Sequence, residues 1–305
     1  MSILDIHADD YCISAHASED ILTCLRAGKL DSISVLMNMS CFEAYAVKLR
    51  EEQATWPKQP KLSVHLNFME GHCLSDPEEI PHLVNKNGFF NIGWGTLFLW
   101  NYSPARFMMI KKELKKEIKA QTEKFIEYFG KTDGLRFDGH QHTQMIPICY
   151  WALLEVIVEQ HYPTEYIRVT REPVLPYLRK VSLWKTYRPV NWIKNMLLNL
   201  YAPGMERTIQ KNKPSWQKDN PSMYLWGVLM SGSMDGERVG RLLPAMRETA
   251  VEKERILEIL FHPGTVLEEE ISDEFSNEGA NRFHLSRGRQ IEYDTVMSLY
   301  TEESE

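Results

Sequence analysis

The chain has 305 residues, of which 43% are hydrophobic and 25% are charged, so it can bury the core of an ordinary α/β enzyme. Its formal net charge of −7 and its pI of about 5.9 argue against a basic surface for nucleic acid or acidic lipid. A neutral or weakly charged substrate fits this composition better.

The sequence shows no signal for export or membrane insertion. No basic region followed by an apolar leader precedes the first strand pattern. The strongest apolar stretch, residues 224–230, is far shorter than the roughly 20 residues of a spanning helix. Five cysteines, an odd number without any Cys-x-x-Cys spacing, argue against a disulfide framework or a zinc-thiolate site. We therefore predict a cytoplasmic protein with reduced thiols.

Strand and helix patterns alternate along the first half of the chain. This β-α order predicts a parallel sheet covered by helices, whose closed form is a (β/α) barrel. In such folds the chemistry lies at the carboxyl ends of the strands. The predicted strands are residues 3–8, 32–37, 62–68 and 134–137, and the predicted helices are residues 18–27, 43–53, 113–128 and 145–160.

The second half is less regular and contains a segment rich in aromatic residues. Residues 173–221 combine several prolines with six Tyr and Trp residues, interleaved with Lys and Arg. Because the β-α pattern resumes after it, we predict a single domain over residues 1–305 with an insertion or lid at 173–221. Its aromatic side chains could stack on sugar rings, and the alternatives are simple packing or a dimer interface. The residues singled out for stacking are Trp184, Tyr187 and Trp192.

Two adjacent carboxylates end the first predicted strand. Asp9 and Asp10 follow an apolar run, where neighbouring like charges repel unless a cation lies close by. A bound metal would neutralise one carboxylate and leave the other free to act as a general base. A helix N-cap is a weaker interpretation, because seven residues separate the pair from the predicted helix that begins at residue 18.

Histidines end three further strand patterns. In the third strand, side-chain alternation places His65 and Asn67 on the same face. The same alternation would place Asp138, His140 and His142 on one face, a density of polar groups that needs a cation or a connected hydrogen-bond network. A lone His65 would more often be structural, and only these neighbours make it a candidate ligand. The last histidine, His262, precedes a Pro-Gly turn and could pack the turn or act as a catalytic acid.

Five segments together resemble the YdjC family of carbohydrate deacetylases, which includes chitooligosaccharide deacetylase. They occur in the order of that family and extend from about residue 3 to residue 264. The resemblance implies a (β/α)-barrel-like domain related to polysaccharide deacetylases, with a divalent metal held by one Asp and two His. The segments are His-Ala-Asp-Asp-Tyr at 7–11, Ser-Ile-Ser-Val-Leu-Met-Asn at 32–38, His-Leu-Asn-Phe-Met-Glu-Gly at 65–71, Asp-Gly-His-Gln-His at 138–142 and His-Pro-Gly at 262–264.

The resemblance also implies roles for individual residues. The metal ligands would be Asp10, His65 and His140, with Asp9 as the base and His262 as the acid or oxyanion partner. Arg168 would orient the substrate, although a surface salt bridge is the alternative. The remaining substrate contacts are assigned to His142 and Asn67.

Two positions depart from the family pattern. Cys12 stands where the family usually has Gly, so a backbone conformation that suits Gly is altered. Gln144 stands where a third His is common and would share the face of His142.

The reaction expected from this resemblance is the hydrolysis of an N-acetyl group on an amino sugar or chitooligosaccharide, with release of acetate. Mg²⁺ or Zn²⁺ would each suit the ligands. The expected partner is the N-acetylated sugar, with no nucleic acid and no membrane, and a homodimer is open. The alternatives are another metal-dependent barrel hydrolase, such as a phosphoesterase or amidohydrolase, or a non-catalytic sugar-binding protein.

Overall fold

Seven parallel strands form one sheet in the part of the chain that the computed structural model describes, which is residues 3–56, 58–130, 134–212, 222–275 and 278–299. Their order across the sheet is β5-β4-β3-β2-β1-β7-β6. The strands are β1 (Leu4–Tyr11), β2 (Ser32–Val35), β3 (Lys61–Leu66), β4 (Leu135–Gly139), β5 (Thr164–Ile167), β6 (Met223–Trp226) and β7 (Ile256–Phe261).

The sheet curls into a half-barrel. Four strands separate β5 from β7, which in a flat sheet would place them roughly 24 Å apart. Instead, the hydroxyl group of Tyr166 on β5 donates to Glu258 on β7 at 3.1 Å. Beyond the end of β5, the Arg171 carbonyl accepts a hydrogen bond from the backbone N–H of Leu225 on β6 at 3.0 Å. The two sheet edges therefore approach each other, and the predicted parallel, barrel-like α/β fold is confirmed at this level.

Ten α-helices connect and cover the strands within the described residues. Short 3₁₀ helices lie at Pro77–Glu79, His140–Met145, Val181–Thr186 and Glu268–Glu270. The α-helices are α1 (Ala15–Arg26), α2 (Phe42–Gln53), α3 (Trp94–Trp100), α4 (Pro104–Phe129), α5 (Pro147–Glu159), α6 (Leu175–Arg179), α7 (Pro189–Asn212), α8 (Gly236–Glu252), α9 (Glu278–His284) and α10 (Arg287–Ser298).

The predicted elements of the first half are present with shifted ends. Helix α4 begins nine residues before the predicted start at 113, because Pro104 at its first turn and Ser103 before it allow an earlier helix start. Strand β5 was not predicted at all. Its four residues follow α5 after a short turn and are too few to give a clear alternation.

The predicted helix at 43–53 carries Ala44, Val47 and Leu49 at helical spacing, and the observed helix α2 begins one residue earlier and buries a partly different face. Its buried side chains are Phe42, Ala46 and Leu49, whereas Ala44 and Val47 face solvent. The heptad spacing of Phe42 and Leu49, with Ala46 between them, is itself helical, so periodicity alone permitted either choice.

The segment predicted as an insertion is largely helical where it is described. Residues 173–212 contain α6, a 3₁₀ helix and α7, whereas 213–221, including Trp216, lie outside the described residues. No helix among the described residues is long and apolar enough to cross a bilayer.

Candidate active site

An irregularity at the end of β1 turns both acidic residues of the pair toward one cavity. In a regular strand, consecutive side chains point to opposite faces. Here the pairing register with β2 shifts between Ala8 and Tyr11, and Asp10 has a φ of 69°. Cys12 follows with a φ of 73°, in the left-handed region that favours glycine. Cys12 therefore keeps the backbone conformation that suits glycine, and the alteration expected from the sequence is not observed.

The cavity lies at the carboxyl ends of the strands and has a volume of about 310 Å³. Five of the residues expected at the site line it, although the sequence placed them on three different segments. Asp9, Asp10, His140, His142 and His262 line the cavity.

Asp10 is at the centre of the expected metal triad. His140 Nδ1 lies 2.8 Å from Asp10 Oδ1, and His65 Nε2 lies 3.4 Å from the same oxygen. The other carboxylate oxygen accepts a hydrogen bond from Arg289 Nη1 at 3.0 Å. Burial by itself raises the pKa of Asp10, but the facing His140, His65 and Arg289 outweigh it and hold that pKa well below its usual value.

The donor set fits a divalent metal ion. Donor atoms of Asp10, His65 and His140 lie within 4.8 Å of one another, and all three residues are buried. The Nε2 atoms of both histidines are buried without a hydrogen-bond partner, which is costly unless a ligand completes them. One carboxylate and two imidazoles suit zinc and similar divalent ions.

His65 is held by a second carboxylate in the manner common at metal sites. Its Nδ1 lies 2.6 Å from Asp138 Oδ1, which fixes the ring and directs Nε2 toward Asp10. Asp138 also accepts a hydrogen bond from the Ser34 hydroxyl group at 2.5 Å. Asp138 thus fixes the orientation of His65 without being one of the three expected metal ligands.

Asp9 is paired with a buried arginine. Arg168 Nη1 donates to both Asp9 carboxylate oxygens at 2.9 and 3.1 Å, and His7 Nε2 lies 3.0 Å from Oδ1. Burial opposes ionisation of Asp9, but Arg168 and the nearby histidines keep its pKa well below the usual value. Because Arg168 is fully buried and also faces Asp138 and Glu258, the surface salt bridge is wrong for this arginine.

The expected strand alternation after Asp138 is wrong. β4 ends at Gly139, and His140–Met145 forms a 3₁₀ turn in which Gln141 and His142 have positive φ values. The turn nevertheless brings His142 to the cavity, with Nδ1 3.2 Å from the Thr170 hydroxyl group. Burial, with the charge of Lys194, lowers the pKa of His142 well below its usual value, so this ring is neutral near pH 7.

Gln144 does not share the face of His142. It is buried, and its side-chain amide nitrogen Nε2 lies 3.4 Å from the Arg168 carbonyl oxygen. The expected alternation fails here for the same reason, because the backbone at this point is a 3₁₀ turn.

His262 lines the cavity directly after the end of β7. Its backbone N–H donates to the Glu292 carboxylate at 2.6 Å, and its Nδ1 lies 3.5 Å from the same oxygen. The ring packs edge-on against Phe283. Glu292 lies within ion-pair distance of Nδ1 without a hydrogen bond to it, and the ring remains at the cavity wall.

Asn67 lies outside the cavity lining. Its side-chain oxygen accepts hydrogen bonds from the backbone N–H groups of Met69 and Glu70, and its amide nitrogen donates to Asn38 and to the Glu70 carbonyl group. These bonds stabilise the loop after β3. The predicted substrate contact of Asn67 stays a prediction.

A further polar group beside the triad was not predicted. His284 Nε2 lies 2.9 Å from Glu70 Oε2, and Arg289 Nη1 lies 3.1 Å from His284 Nδ1. Glu70 and His284 could hold an ion together with His140. No motif signals this group, because Glu70 and His284 are separated by more than two hundred residues.

Helix α7 contributes two unpredicted residues to the cavity. Asn191 and Lys194 line it on the side of the predicted insertion. Lys194 is half-buried, and its ammonium group has no hydrogen bond or ion pair among the described residues. Burial lowers the pKa of Lys194 to about 8, with a partly opposing effect from Asp9.

The aromatic residues expected to stack on sugar lie elsewhere. Tyr187 and Trp192 pack edge-on against Tyr177 and against each other, and the ring of Trp184 is half-exposed. None of the three expected residues is among the groups that line the cavity. Their stacking on substrate stays a prediction.

Comparison with known proteins places the whole chain in one family. The sequence profile described as YdjC-like protein matches residues 3–303. The chain belongs to this family. Among YdjC-like relatives, it is similar to a carbohydrate deacetylase of Danio rerio, with 24% identity over 96% of this chain and 91% of the relative.

Two further relatives are also described as deacetylases. A carbohydrate deacetylase of Oceanobacillus iheyensis is 26% identical over 66% of this chain and 75% of the relative. A chitooligosaccharide deacetylase of Yersinia pestis is 26% identical over 56% of this chain and 61% of the relative. A crystal structure from Enterococcus faecalis, described as a cellobiose-phosphate cleavage protein, covers 98% of this chain and 96% of its own with a TM-score of 0.57. At 16% identity, that structure supports the fold of this YdjC-like protein and nothing finer.

Proposed function

We propose that this YdjC-like protein is a metal-dependent carbohydrate deacetylase that removes the N-acetyl group from an amino sugar or chitooligosaccharide. The observation that carries the proposal is one strand-end cavity lined by an ionised Asp9, by Asp10 with His140, and by His262, with His65 beneath. The names of the relatives, carbohydrate deacetylase and chitooligosaccharide deacetylase, support the same substrate class.

The proposed metal ligands are Asp10, His65 and His140, with Mg²⁺ and Zn²⁺ as the two candidates. When bound there, the ion would supply Lewis acidity for the acetyl carbonyl group and lower the pKa of water. Asp138 and Arg289 then keep His65 and Asp10 in place, through the contacts of 2.6 and 3.0 Å.

The remaining residues handle the protons. Asp9 accepts the proton of the attacking water, and Arg168 with His7 keeps this carboxylate ionised and oriented. His262, held by Glu292, donates a proton to the departing amine nitrogen. Arg168 is thus a positioning residue in this scheme, because it reaches the reaction only through Asp9. His142 and Lys194 lie at the cavity wall, where they contact the sugar.

A metal-dependent phosphoesterase is the rival to be tested. Two-metal sites of that class hold ions about 3.5 to 4 Å apart. The buried group of Glu70, His140 and His284 is the feature that favours it, but Glu70 and His284 are already hydrogen-bonded to each other and His140 would have to serve both ions.

The decisive experiment measures acetate release from N-acetylglucosamine, chitobiose, longer chitooligomers and N-acetylated glycolipids, with and without chelator. We expect release from at least one of these substrates, loss of it with chelator, and recovery with Mg²⁺ or Zn²⁺. Asp10→Ala and His65→Ala should be inactive, whereas His16→Ala, on the exposed face of α1, should match the wild type.

A phosphodiester substrate is included in parallel. Hydrolysis of the phosphodiester without acetate release from any sugar would contradict the proposal in favour of the rival. Metal binding without either activity would instead support a sugar-binding protein.

A further inference from the structure

One segment is strongly basic, although the chain as a whole has a negative net charge. Residues 173–205 contain five Lys and Arg residues and no Asp or Glu, although the net charge of the chain is −7. This segment includes α6, the following 3₁₀ helix and most of α7. The basic residues are Arg179, Lys180, Lys185, Arg188 and Lys194.

The same segment holds a large share of the exposed apolar surface. Of the sixteen large apolar side chains that are exposed among the described residues, eight lie between residues 175 and 200. They are Leu175, Leu178, Val181, Trp184, Val190, Ile193, Met196 and Leu200.

On α7 these exposed side chains form one stripe. Val190, Ile193, Met196 and Leu200 recur at helical spacing, opposite the buried face that includes Leu198. An α-helix that is apolar on both faces is normally covered on both. Nothing among the described residues covers the outer face.

Basic and apolar groups alternate along the surface. Arg179 and Lys180 separate Leu178 from Val181, and Arg188 is close to Val190. The side chains of Arg179, Lys180 and Arg188 are exposed and have no acidic partner in the part of the chain that is described. Apolar side chains flanked by unpaired Lys and Arg are the composition of a surface that binds anionic bilayers.

We propose that the outer face of α6 and α7 docks on a membrane surface that contains anionic lipids. The apolar side chains enter the boundary between head groups and acyl chains, and the basic side chains contact lipid phosphates. The Trp184 ring suits that boundary, because its indole N–H is already bonded to the Tyr177 carbonyl group and the ring itself is half-exposed.

Charge argues for lipid over a second copy of the chain. Two copies packed through this face would bring together the exposed positive charges of Arg179, Lys180 and Arg188 from each copy, in a segment with no acid to offset them. An anionic bilayer supplies the opposite charge along with an apolar phase. The docking face is distinct from the cavity, because Asn191 and Lys194 line the cavity from the inner side of α7.

Vesicle sedimentation tests the proposal without reference to catalysis. We expect the wild-type protein to bind phosphatidylcholine vesicles that contain phosphatidylglycerol, to bind pure phosphatidylcholine weakly, and to dissociate as salt is added. In Arg179→Gln/Lys180→Gln/Arg188→Gln, the partition coefficient on anionic vesicles should fall roughly fivefold per residue, and thus on the order of 100-fold.

A second variant separates the apolar contribution. Val190→Ser/Ile193→Ser should lower binding about tenfold or more and leave the salt dependence in place. The matched control is Val251→Ser/Lys253→Gln at the exposed end of α8, which should bind as the wild type does. Circular dichroism confirms that each variant is folded before binding is compared.

Two results would overturn the proposal. One is a wild-type protein that stays in the supernatant with anionic vesicles at low salt. The other is a wild-type dimer in sedimentation equilibrium that Val190→Ser/Ile193→Ser converts to monomer, without any vesicle binding, which would assign the face to a second copy.

Discussion

At the scale of single residues, the site depends on carboxylates that remain charged although they are buried. Asp9 faces Arg168, and Asp10 faces His140 and Arg289. Removing one partner of a buried pair leaves an uncompensated charge, which costs about 3 to 5 kcal/mol. A useful variant must therefore remove the catalytic function of one side chain without leaving its charged partner unpaired.

Asp9→Asn meets that requirement. Arg168 would still face Asp138 and Glu258, so the variant should fold. It should bind metal as the wild type does, because Asp10, His65 and His140 are unchanged, and it should lose on the order of 100-fold in kcat. Metal analysis and acetate-release kinetics measure the two effects. A near-normal kcat would assign the proton to another group, such as His142.

Lys194→Met tests whether the unpaired ammonium group at the cavity contacts the substrate. Loss of a hydrogen bond from a charged group should raise KM about tenfold or more. Lys211→Met on the same helix is the control, because Lys211 is exposed and far along α7 from the cavity. Equal KM values in both variants would remove Lys194 from the binding site.

At the scale of elements, one buried carboxylate joins α7 to the sheet. Glu172, beyond the end of β5, accepts hydrogen bonds from the backbone N–H groups of Gly227, Val228 and Leu229 after β6. It also accepts from the Tyr177 hydroxyl group and from the Asn195 amide on α7. Glu172 thus fixes the helix that carries Lys194.

The ionisation of Glu172 makes stability depend on pH. Burial raises the pKa of Glu172 above its usual value, although the Tyr177 hydroxyl and the backbone N–H groups partly oppose this. The folded state therefore holds this proton more tightly than the unfolded chain does. Its contribution to stability is present below the ordinary glutamate pKa and is lost as the pH rises through the folded-state pKa.

Glu172→Gln removes that titration and keeps the side-chain shape. The free energy of unfolding of the wild type, minus that of the variant, should fall as the pH rises through the interval above the ordinary glutamate pKa. Urea unfolding of both proteins over this interval measures the difference, in which the other titrating groups cancel. A difference that stays constant or grows with pH would contradict the raised pKa.

At the scale of the whole molecule, the site joins distant parts of the chain. Asp10 comes from β1, His65 from β3, His140 from the turn after β4, and Arg289 from α10. An ion bound by three of these residues stabilises the folded state only, because the unfolded chain does not hold them together.

We therefore expect Zn²⁺ or Mg²⁺ to raise the melting temperature. An ion at 100 times its Kd adds about 2.7 kcal/mol to the free energy of unfolding. Calorimetry of the chelated and metal-loaded protein measures the shift, and it should vanish in His65→Ala/His140→Ala. An equal shift in that double variant would place the stabilising ion elsewhere.

The sequence by itself determined the parallel α/β plan and the main polar groups of the site. Asp9, Asp10, His140 and His262 each lie at the end of an apolar run, and such ends meet at one edge of a parallel sheet. These signals are local, and each needs only a few neighbouring residues to be visible.

The tertiary structure alone decided how the groups meet. The shifted register at Asp10 and the left-handed turn at His142 have no periodic signature, so the sequence could not show which way these side chains point. Glu70 with His284 and Asp9 with Arg168 are pairs whose members are far apart in sequence. In the sequence, Lys194 is only one of several basic residues in the predicted insertion. Its position at the site depends on the packing of α7 against the cavity. Such pairings depend on how the whole sheet curls, which no short stretch of sequence specifies.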